Sequence, residues 1–396
     1  ALGTWILFGP ASAATWGGIG AVIGYALGAA TPMLLLFNFG PKIRKEFPNG
    51  LTLTEFIKKR FGIVILKISL FLIFFYMTIF LIAEVTAIAY LLNFLSNVPL
   101  WLTAAITLII CLLYILRGGF GLSIITDKYQ FIFIILIILL SVFLILDNIN
   151  LSSFELIKKK SPNLIDINYL PNYTAGLTFF IAVAATNLFH QGNWQRVYAA
   201  KNIKILRKSL IFAFLIILPV VFFMGFTGLV AISKNPNLVP DLAFFSLLLN
   251  DQVLIITIIL IILTISLTVS SIDTLINAIS SLIIVDLNKI IKFKGDYFKL
   301  SKFIIIGLSI IAFFVSSRGL SILYLFLLAD LLCCSAVLSV FYSFYNKNLN
   351  QSNIYIAILF GLFFGLMLFP SPDFSKSILI GILFPISNFS AFMSQS

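Results

Sequence analysis

Long apolar runs recur from one end of this chain to the other, and they limit what it can fold into. A hydrocarbon layer about 30 Å thick is crossed by roughly 20 apolar residues in helical form. Twelve segments meet that need: 1–23, 25–41, 63–95, 99–116, 127–146, 173–191, 208–233, 252–286, 301–317, 319–344, 352–370 and 375–393. With 61% hydrophobic and only 10% charged residues, a soluble fold would leave much of this Leu, Ile and Phe in water. The chain reads as an all-α, multi-pass membrane protein, with 1–396 forming a single transmembrane domain. Spans one and two are parted only by a Gly-rich bend.

The net charge of +12 has a topological explanation. Placing the 42–62 loop in the cytoplasm puts 20 of the 26 Lys and Arg on that side, leaving Lys158, Lys159, Lys160, Lys234, Arg318 and Lys376 outside. This is the positive-inside pattern. It puts both chain ends in the cytoplasm, suits a plasma (cell) membrane, and makes the lipid bilayer, not nucleic acid, the partner. The external loops 147–172 and 234–251 are too short to be domains. Cys111, Cys333 and Cys334 sit in apolar segments without disulfide or metal-ligand spacing. No charged region with a cleavage site precedes the first apolar segment, so a signal peptide is not expected.

Four polar stretches interrupt the apolar pattern. The first, Gly9-Pro10-Ala11-Ser12-Ala13-Ala14-Thr15-Trp16-Gly17-Gly18-Ile19-Gly20, joins a residue lacking an N–H donor to several that favour unwinding. Backbone groups freed in a bilayer need protein, water or a ligand as partners. The stretch reads either as a broken helix whose carbonyls bind a cation or as close packing through small residues. The second, Ser270-Ser271-Ile272-Asp273-Thr274 with Asn277, Ser280 and Ser281, sets adjacent hydroxyls in an apolar helix. Neutral oxygens of this kind suit a hard cation. Asp273 is a coupling candidate, because an ionisable group at membrane depth is costly; a polar seam between helices accounts for it equally well.

The third stretch, Asn187 to Arg196, holds the single histidine, His190, and a glycine, Gly192, placed to interrupt the helix. A hydrogen-bonded structural role for His190 competes with a ligand or proton-relay role. The fourth, Gly118 to Gln130, opens a span with Thr126 or Asp127 as its N-cap. Glu84 and Asp330 lie inside spans three and ten, with no basic residue at that depth. A cation, a proton or a cationic solute must neutralise them.

Together these segments resemble the sodium:solute symporter family, which includes sodium–galactose, sodium–proline and urea-type transporters. Gly118-Gly119-Phe120-Gly121 with Thr126-Asp127-Lys128-Tyr129-Gln130 is similar to that family's Gly-Gly and Thr-Asp-x-x-Gln signature. Thr54-Glu55-Phe56 with Arg60-Phe61-Gly62 resembles the entry to core helix three. Trp194-Gln195-Arg196 with Ala199-Ala200-Lys201 resembles the stretch after core helix six, and Ser270-Ser271 and Asp286 resemble core helix eight. The order holds over residues 9–345.

The resemblance implies a leucine-transporter-type fold of 5+5 inverted repeats, 1–146 and 173–344, with two additional C-terminal helices in 352–393. Helices one and six would be discontinuous. It implies Na⁺ as the coupling ion, held by carbonyls around Gly9 and Ser12, the Leu267 carbonyl and the Ser270 and Ser271 hydroxyls, with Asp127 on the ion's path. Solute contacts are expected from Asn187 and His190, with Asn38, Glu84 and Asp330 as further candidates. Sugar-carrying members place a lysine on helix seven; Leu215-Ile216-Ile217-Leu218 argues against a sugar. The family's additional helix ahead of core helix one has no counterpart.

The expected function is secondary symport, coupling inward Na⁺ flow to uptake of a small polar solute by alternating access. Proton coupling through Glu84, Asp273, Asp330 or His190 is the alternative within transport. A non-transporting channel or sensor derivative is the alternative outside it, and no attached signalling domain supports that. An enzyme is not expected, since the sequence has no His-Glu-x-x-His, Gly-x-Ser-x-Gly or histidine cluster.

Overall fold

In a bilayer every backbone N–H and C=O needs an internal partner, so apolar sequence of this kind is driven into helix. The computed structural model describes residues 3–48, 50–148, 151–166, 168–249, 254–287, 290, 294–342 and 350–369; along 114–148 it describes the backbone and part of the side chains. Among these residues no strand forms. The helices are α1 (Trp5–Glu46), α2 (Leu53–Ser96), α3 (Leu100–Asn148), α4 (Leu151–Lys160), α5 (Leu170–Phe189), α6 (Gln191–Ala199), α7 (Ile203–Lys234), α8 (Ala243–Leu248), α9 (Leu254–Ser281, prolonged by a π turn, Leu282–Asp286), α10 (Tyr297–Ser316), α11 (Ile322–Tyr342) and α12 (Gln351–Leu368). Seven helices among the described residues are long and apolar enough to cross a membrane. The expected span 375–393 lies outside the described residues.

Some of these helices contain two limbs. α1 turns back on itself at Gly18, where φ is 59° and ψ −155°. Its limbs 5–17 and 19–46 run antiparallel: Trp5 stacks on Tyr25 with ring centroids 6.1 Å apart, and the Tyr25 hydroxyl occupies the space beside Gly9. The sequence reading puts this bend at Gly24, between spans 1–23 and 25–41. It falls at Gly18 because a side chain there would need left-handed backbone and would meet the Leu164 carbonyl and the Asn172 amide.

Gly24 serves close packing instead. Gly20, Gly24 and Gly28 form a stripe at four-residue spacing, and a Cβ on each would meet α5 backbone at Asn172, at Gly176, and at Phe179 and Phe180 respectively. Small residues at this spacing let two helix backbones approach closely. In α2, Gly62 (φ 79°) separates a lead-in, 53–61, from the span proper. Lys58 and Lys59 of the lead-in are exposed while Phe56, Ile57 and Phe61 are buried.

α3 is helical over 49 residues, more than twice what one crossing requires. Leu100 at its start lies against Gly319, which leads into α11. Just past its end, α4 packs on the last third of α7, with Phe154 5.2 Å from Phe226. The Asp241 carboxylate, shortly after α7, accepts from the first N–H groups of α11, so both ends of α3 lie at one face of the bundle. The segment is long enough for the two expected spans, 99–116 and 127–146. The remaining expected spans coincide with α5, α7, α9, α10, α11 and α12 to within a few residues.

A Cβ at Gly20 would overlap the Asn172 carbonyl, whereas one at Gly307 in α10 meets nothing within 4 Å. Gly20→Ala is expected to destabilise the detergent-purified protein by the roughly 1–3 kcal/mol that overpacking costs. Gly307→Ala should hold or raise stability. Thermal unfolding checks both, and equal behaviour would contradict this packing.

Candidate functional site

A break between two helices and the first turn of α1 meet at one cavity. α5 ends at Phe189 and α6 begins at Gln191; between them His190 leaves helical geometry, with φ −63° and ψ 108°. Such a break strands the last carbonyls of one helix and the first N–H groups of the next. Side chains meet them. Asn193 Nδ2 donates to the Asn187 carbonyl at 2.9 Å and Trp194 Nε1 to the Leu188 carbonyl at 2.7 Å. The Tyr76 hydroxyl of α2 donates to the Phe189 carbonyl at 3.2 Å and accepts from the Gln191 N–H at 3.3 Å. His190 Nδ1 accepts from the Gly192 N–H at 3.1 Å. With Nδ1 as acceptor, a neutral imidazole carries its proton on Nε2.

The other element at the cavity is the first turn of α1. The Thr4 N–H donates to Glu84 Oε2 of α2 at 3.1 Å, the Thr4 hydroxyl donates to the same oxygen, and the Trp5 N–H is also directed at this carboxylate. A carboxylate at a helix N-terminus has the favoured polarity. A point one bond out from Gly3 Cα lies 2.5 Å from both Glu84 Oε1 and Ser271 Oγ of α9. Ser271 Oγ is buried, and the group it is directed at is the Glu84 carboxylate.

Between the break and this turn lies a cavity of about 60 Å³, room for a handful of water-sized groups. Trp5, Tyr25, Phe80 and Phe326 supply its aromatic walls, and Glu84, Thr186, Asn187, His190, Ser271 and Asp330 its principal polar groups. Asp330 of α11 is 3% exposed and accepts from the Thr186 hydroxyl at 2.6 Å. No lysine or arginine is among the lining residues. Arg196 of α6 donates to the Gly192 carbonyl at 3.0 Å and to the Thr274 hydroxyl at 3.2 Å without entering the lining.

Of the residues expected from sequence, Ser271, Asn187, His190, Glu84 and Asp330 come together here. Leu267 and Ser270 are buried on the same helix as Ser271. Gly9 and Ser12 do not join them. Gly9 packs on Tyr25, and the Ser12 hydroxyl donates to Asp241 Oδ1 at 3.0 Å. α1 runs helical through Pro10, as membrane helices do when neighbours re-satisfy the freed carbonyl. The α1 backbone that approaches Ser271 is at Gly3, about 9 Å of helix rise before Gly9.

Asn38 also falls away from the cavity: it is exposed on the second limb of α1, one turn beyond exposed Leu34, while Leu36 and Phe39 face inward. Asp273 is buried but does not line the cavity. It accepts from Asn277 Nδ2 at 2.5 Å and lies within electrostatic reach of Cys111 on α3. Two residues of helix turn it about 200° from Ser271. The Asp127 side chain lies outside the described residues.

Sequence reasoning missed Thr4, Tyr25, Phe80, Thr186 and Phe326, and named Thr274 only as part of a polar stretch. Thr186 stands one turn before His190 and Thr274 one turn past Ser270, so helical spacing was an available signal. The aromatic residues gave none in a chain with 42 Phe and 13 Tyr.

A multi-pass helical bundle with an interrupted helix at a polar cavity is the architecture of a membrane transporter. The chain belongs to the sodium:solute symporter family, whose profile matches residues 1–361. It is 27% identical over 254 residues to the spermidine transporter DUR31 of Candida albicans, covering 63% of this chain and 48% of that protein. The chain thus spans about half the length of that relative. A solved structure of a Na⁺-coupled sialic acid symporter, substrate-bound and outward-open, has a TM-score of 0.65 at 18% identity, over 94% of this chain and 88% of that one. The fold is therefore that of a symporter, and the family is one of transporters, not enzymes.

Tyr76 staples both sides of the α5–α6 break. Tyr76→Phe is expected to destabilise the protein by about 1–3 kcal/mol through the two backbone groups it orphans. Urea or thermal unfolding in detergent measures this, and an unchanged midpoint would mean the break does not depend on α2.

Proposed function

We propose that this protein takes up a small cationic amine together with Na⁺, by alternating access, as a single transmembrane unit of the plasma membrane. The observation that carries this reading is the pair of carboxylates, Glu84 and Asp330, in a cavity that no lysine or arginine lines among the described residues. An uncompensated carboxylate at membrane depth costs about 2.5–3.5 kcal/mol on insertion scales. A sodium ion and a cationic solute compensate both. A neutral or anionic solute leaves one carboxylate without a counter-charge.

The chemistry of the lining fits the same class. Asp330 accepts N–H donors from an ammonium group, and the faces of Trp5, Tyr25, Phe80 and Phe326 attract a cation. Ser271 offers a hydroxyl oxygen to a hard ion. The relative named above is a spermidine transporter, which supports an amine. Moving two positive charges inward gains about 4–5 kcal/mol per 100 mV of inside-negative potential. Coupling further requires that Na⁺ favour the solute-binding state over the other. The α1 start and the α5–α6 break are the natural discontinuous pair around which the repeats 1–146 and 173–344 would rock.

Purified protein in liposomes, with a Na⁺ gradient and an inside-negative potential, tests this. Uptake of labelled spermidine or putrescine is expected to require Na⁺ and to be competed by amines but not by sugars or carboxylates. Asp330→Asn should raise the apparent KM tenfold or more. Uptake driven by a pH gradient without Na⁺ would establish proton coupling instead. Sodium-driven uptake of neutral or anionic solutes alone would overturn the solute class.

A further inference from the structure

We propose that the seam between α1 and α7, at the end beside the 42–62 loop, is a binding groove for an anionic phospholipid. Its phosphate is held by Arg207, Lys204 and Lys45, and its glycerol esters meet Asn38. The charge distribution places that end in the cytoplasm, so the lipid belongs to the inner leaflet.

The register of the two helices builds the groove. α1 and α7 pack antiparallel: Val22 lies against Gly225, and toward the other end of the seam Gly40 lies against Leu206. Arg207 is set over the ring of Phe37, 4.9 Å from its centroid. To within a residue, this pairing sets Leu34 level with Ile211, Asn38 level with Arg207, and Lys42 level with Lys204. At about 100° of turn per residue, Leu34, Asn38 and Lys45 fall on the Phe37 side of the seam. Lys204, Arg207 and Ile211 of α7 fall on the same side. All six are exposed.

The groove changes character with depth. Leu34, Phe37 and Ile211 offer apolar surface to an acyl chain. Asn38 stands at the boundary, and Lys45 lies about 10 Å further along α1, at the level of head groups. Arg207, Lys204 and Lys45 form a staircase of cations between the two. The nearest carboxylate along α1, Glu46, turns to the opposite flank. The groove is therefore complementary to a phosphate above a hydrocarbon tail.

Two of its features exceed what topology alone requires. The positive-inside bias sets how many cations such a face carries, not how they are arranged. It gives no account of Asn38, an amide on a face that hydrocarbon would otherwise cover, where an unmet polar group is costly. Lipid ester and phosphate oxygens accept from that amide. Nor does the bias explain Arg207 resting on Phe37. A guanidinium held on an aromatic face is fixed in place and keeps N–H groups for phosphate oxygens. A lipid that bridges Lys45 of α1 and Arg207 of α7 ties the two helices together, so its binding stabilises the folded chain.

The test uses the full chain, purified in uncharged detergent and stripped of lipid. It is titrated with short-chain phosphatidylglycerol, with phosphatidylcholine of the same chains, and with inorganic phosphate, each read by thermal shift. Only phosphatidylglycerol is expected to raise the unfolding temperature saturably. Arg207→Gln should raise its half-saturating concentration about fivefold, and the Lys45→Gln/Lys204→Gln pair at least as much. Asn38→Leu should weaken it by a smaller factor. Lys58→Gln/Lys59→Gln, which removes two exposed cations from the α2 lead-in, should leave it unchanged. An unaltered response in Arg207→Gln overturns the proposal. Equal weakening by the Lys58/Lys59 pair does so too, because it reveals only diffuse surface charge. Equal stabilisation by phosphatidylcholine removes the need for an anion, and equal stabilisation by inorganic phosphate makes the ligand a soluble ion; either overturns the lipid site. Should Arg207→Gln fail to fold, unchanged phosphatidylglycerol affinity in the Lys45/Lys204 pair is decisive against it.

Discussion

A bilayer offers no water to a free backbone group, and the central features of this protein follow from how it meets that constraint at the α5–α6 break and at the first turn of α1. Every carbonyl and N–H released there must find a side chain, an ion or a solute. At the α5–α6 break the side chains of Asn193, Trp194, Tyr76 and His190 do so within the protein. At the start of α1 a carboxylate does so, and brings a negative charge with it. Neutral donors seal the break, and Glu84 the first turn of α1.

Polar contacts at both ends of the bundle tie these elements to their surroundings. At one end Asp241 accepts from Ser12 of α1 and from the Ile322 and Leu323 N–H groups of α11, so a short loop holds two helices that line the cavity or lead to it. At the other, Gln191 of α6 accepts from the Leu53 N–H and donates to the Leu51 carbonyl, while the Thr52 hydroxyl donates to Asp286 past α9. The lead-in to α2 is thus fastened to the second half of the broken helix. Beyond the Gly62 bend, the Tyr76 hydroxyl accepts from the Gln191 N–H, so α6 is joined to both parts of α2.

How much of this was legible in the sequence depends on what each residue type can signal. Charged groups at membrane depth are rare, so Glu84 and Asp330 stood out, and so did the hydroxyl pair at Ser270 and Ser271. His190 with Gly192 announced the α5–α6 break, because so polar a run is costly within an unbroken apolar helix. The break expected in α1 was misplaced for a physical reason. Glycine and proline mark unwinding and close packing alike, and here Gly20, Gly24 and Gly28 serve packing, Gly18 serves a turn, and Pro10 is accommodated inside a helix. The backbone beside Ser271 is at Gly3, which sits in an apolar run with no polar pattern around it. Asn38 and Asp273 show the converse limit: a polar residue in a span announces depth, but helical phase decides what it faces, and theirs turn to the exterior and to α3.

The central claim is that ion and solute occupy one cavity and stabilise the same state. Equilibrium binding measures this most directly, because linkage between two sites is reciprocal. Labelled spermidine affinity is determined across Na⁺ concentrations, and Na⁺ affinity across spermidine concentrations, on the same detergent-purified chain. The account predicts that each ligand tightens the other by the same factor, tenfold or more. Affinities that are independent of one another would contradict it.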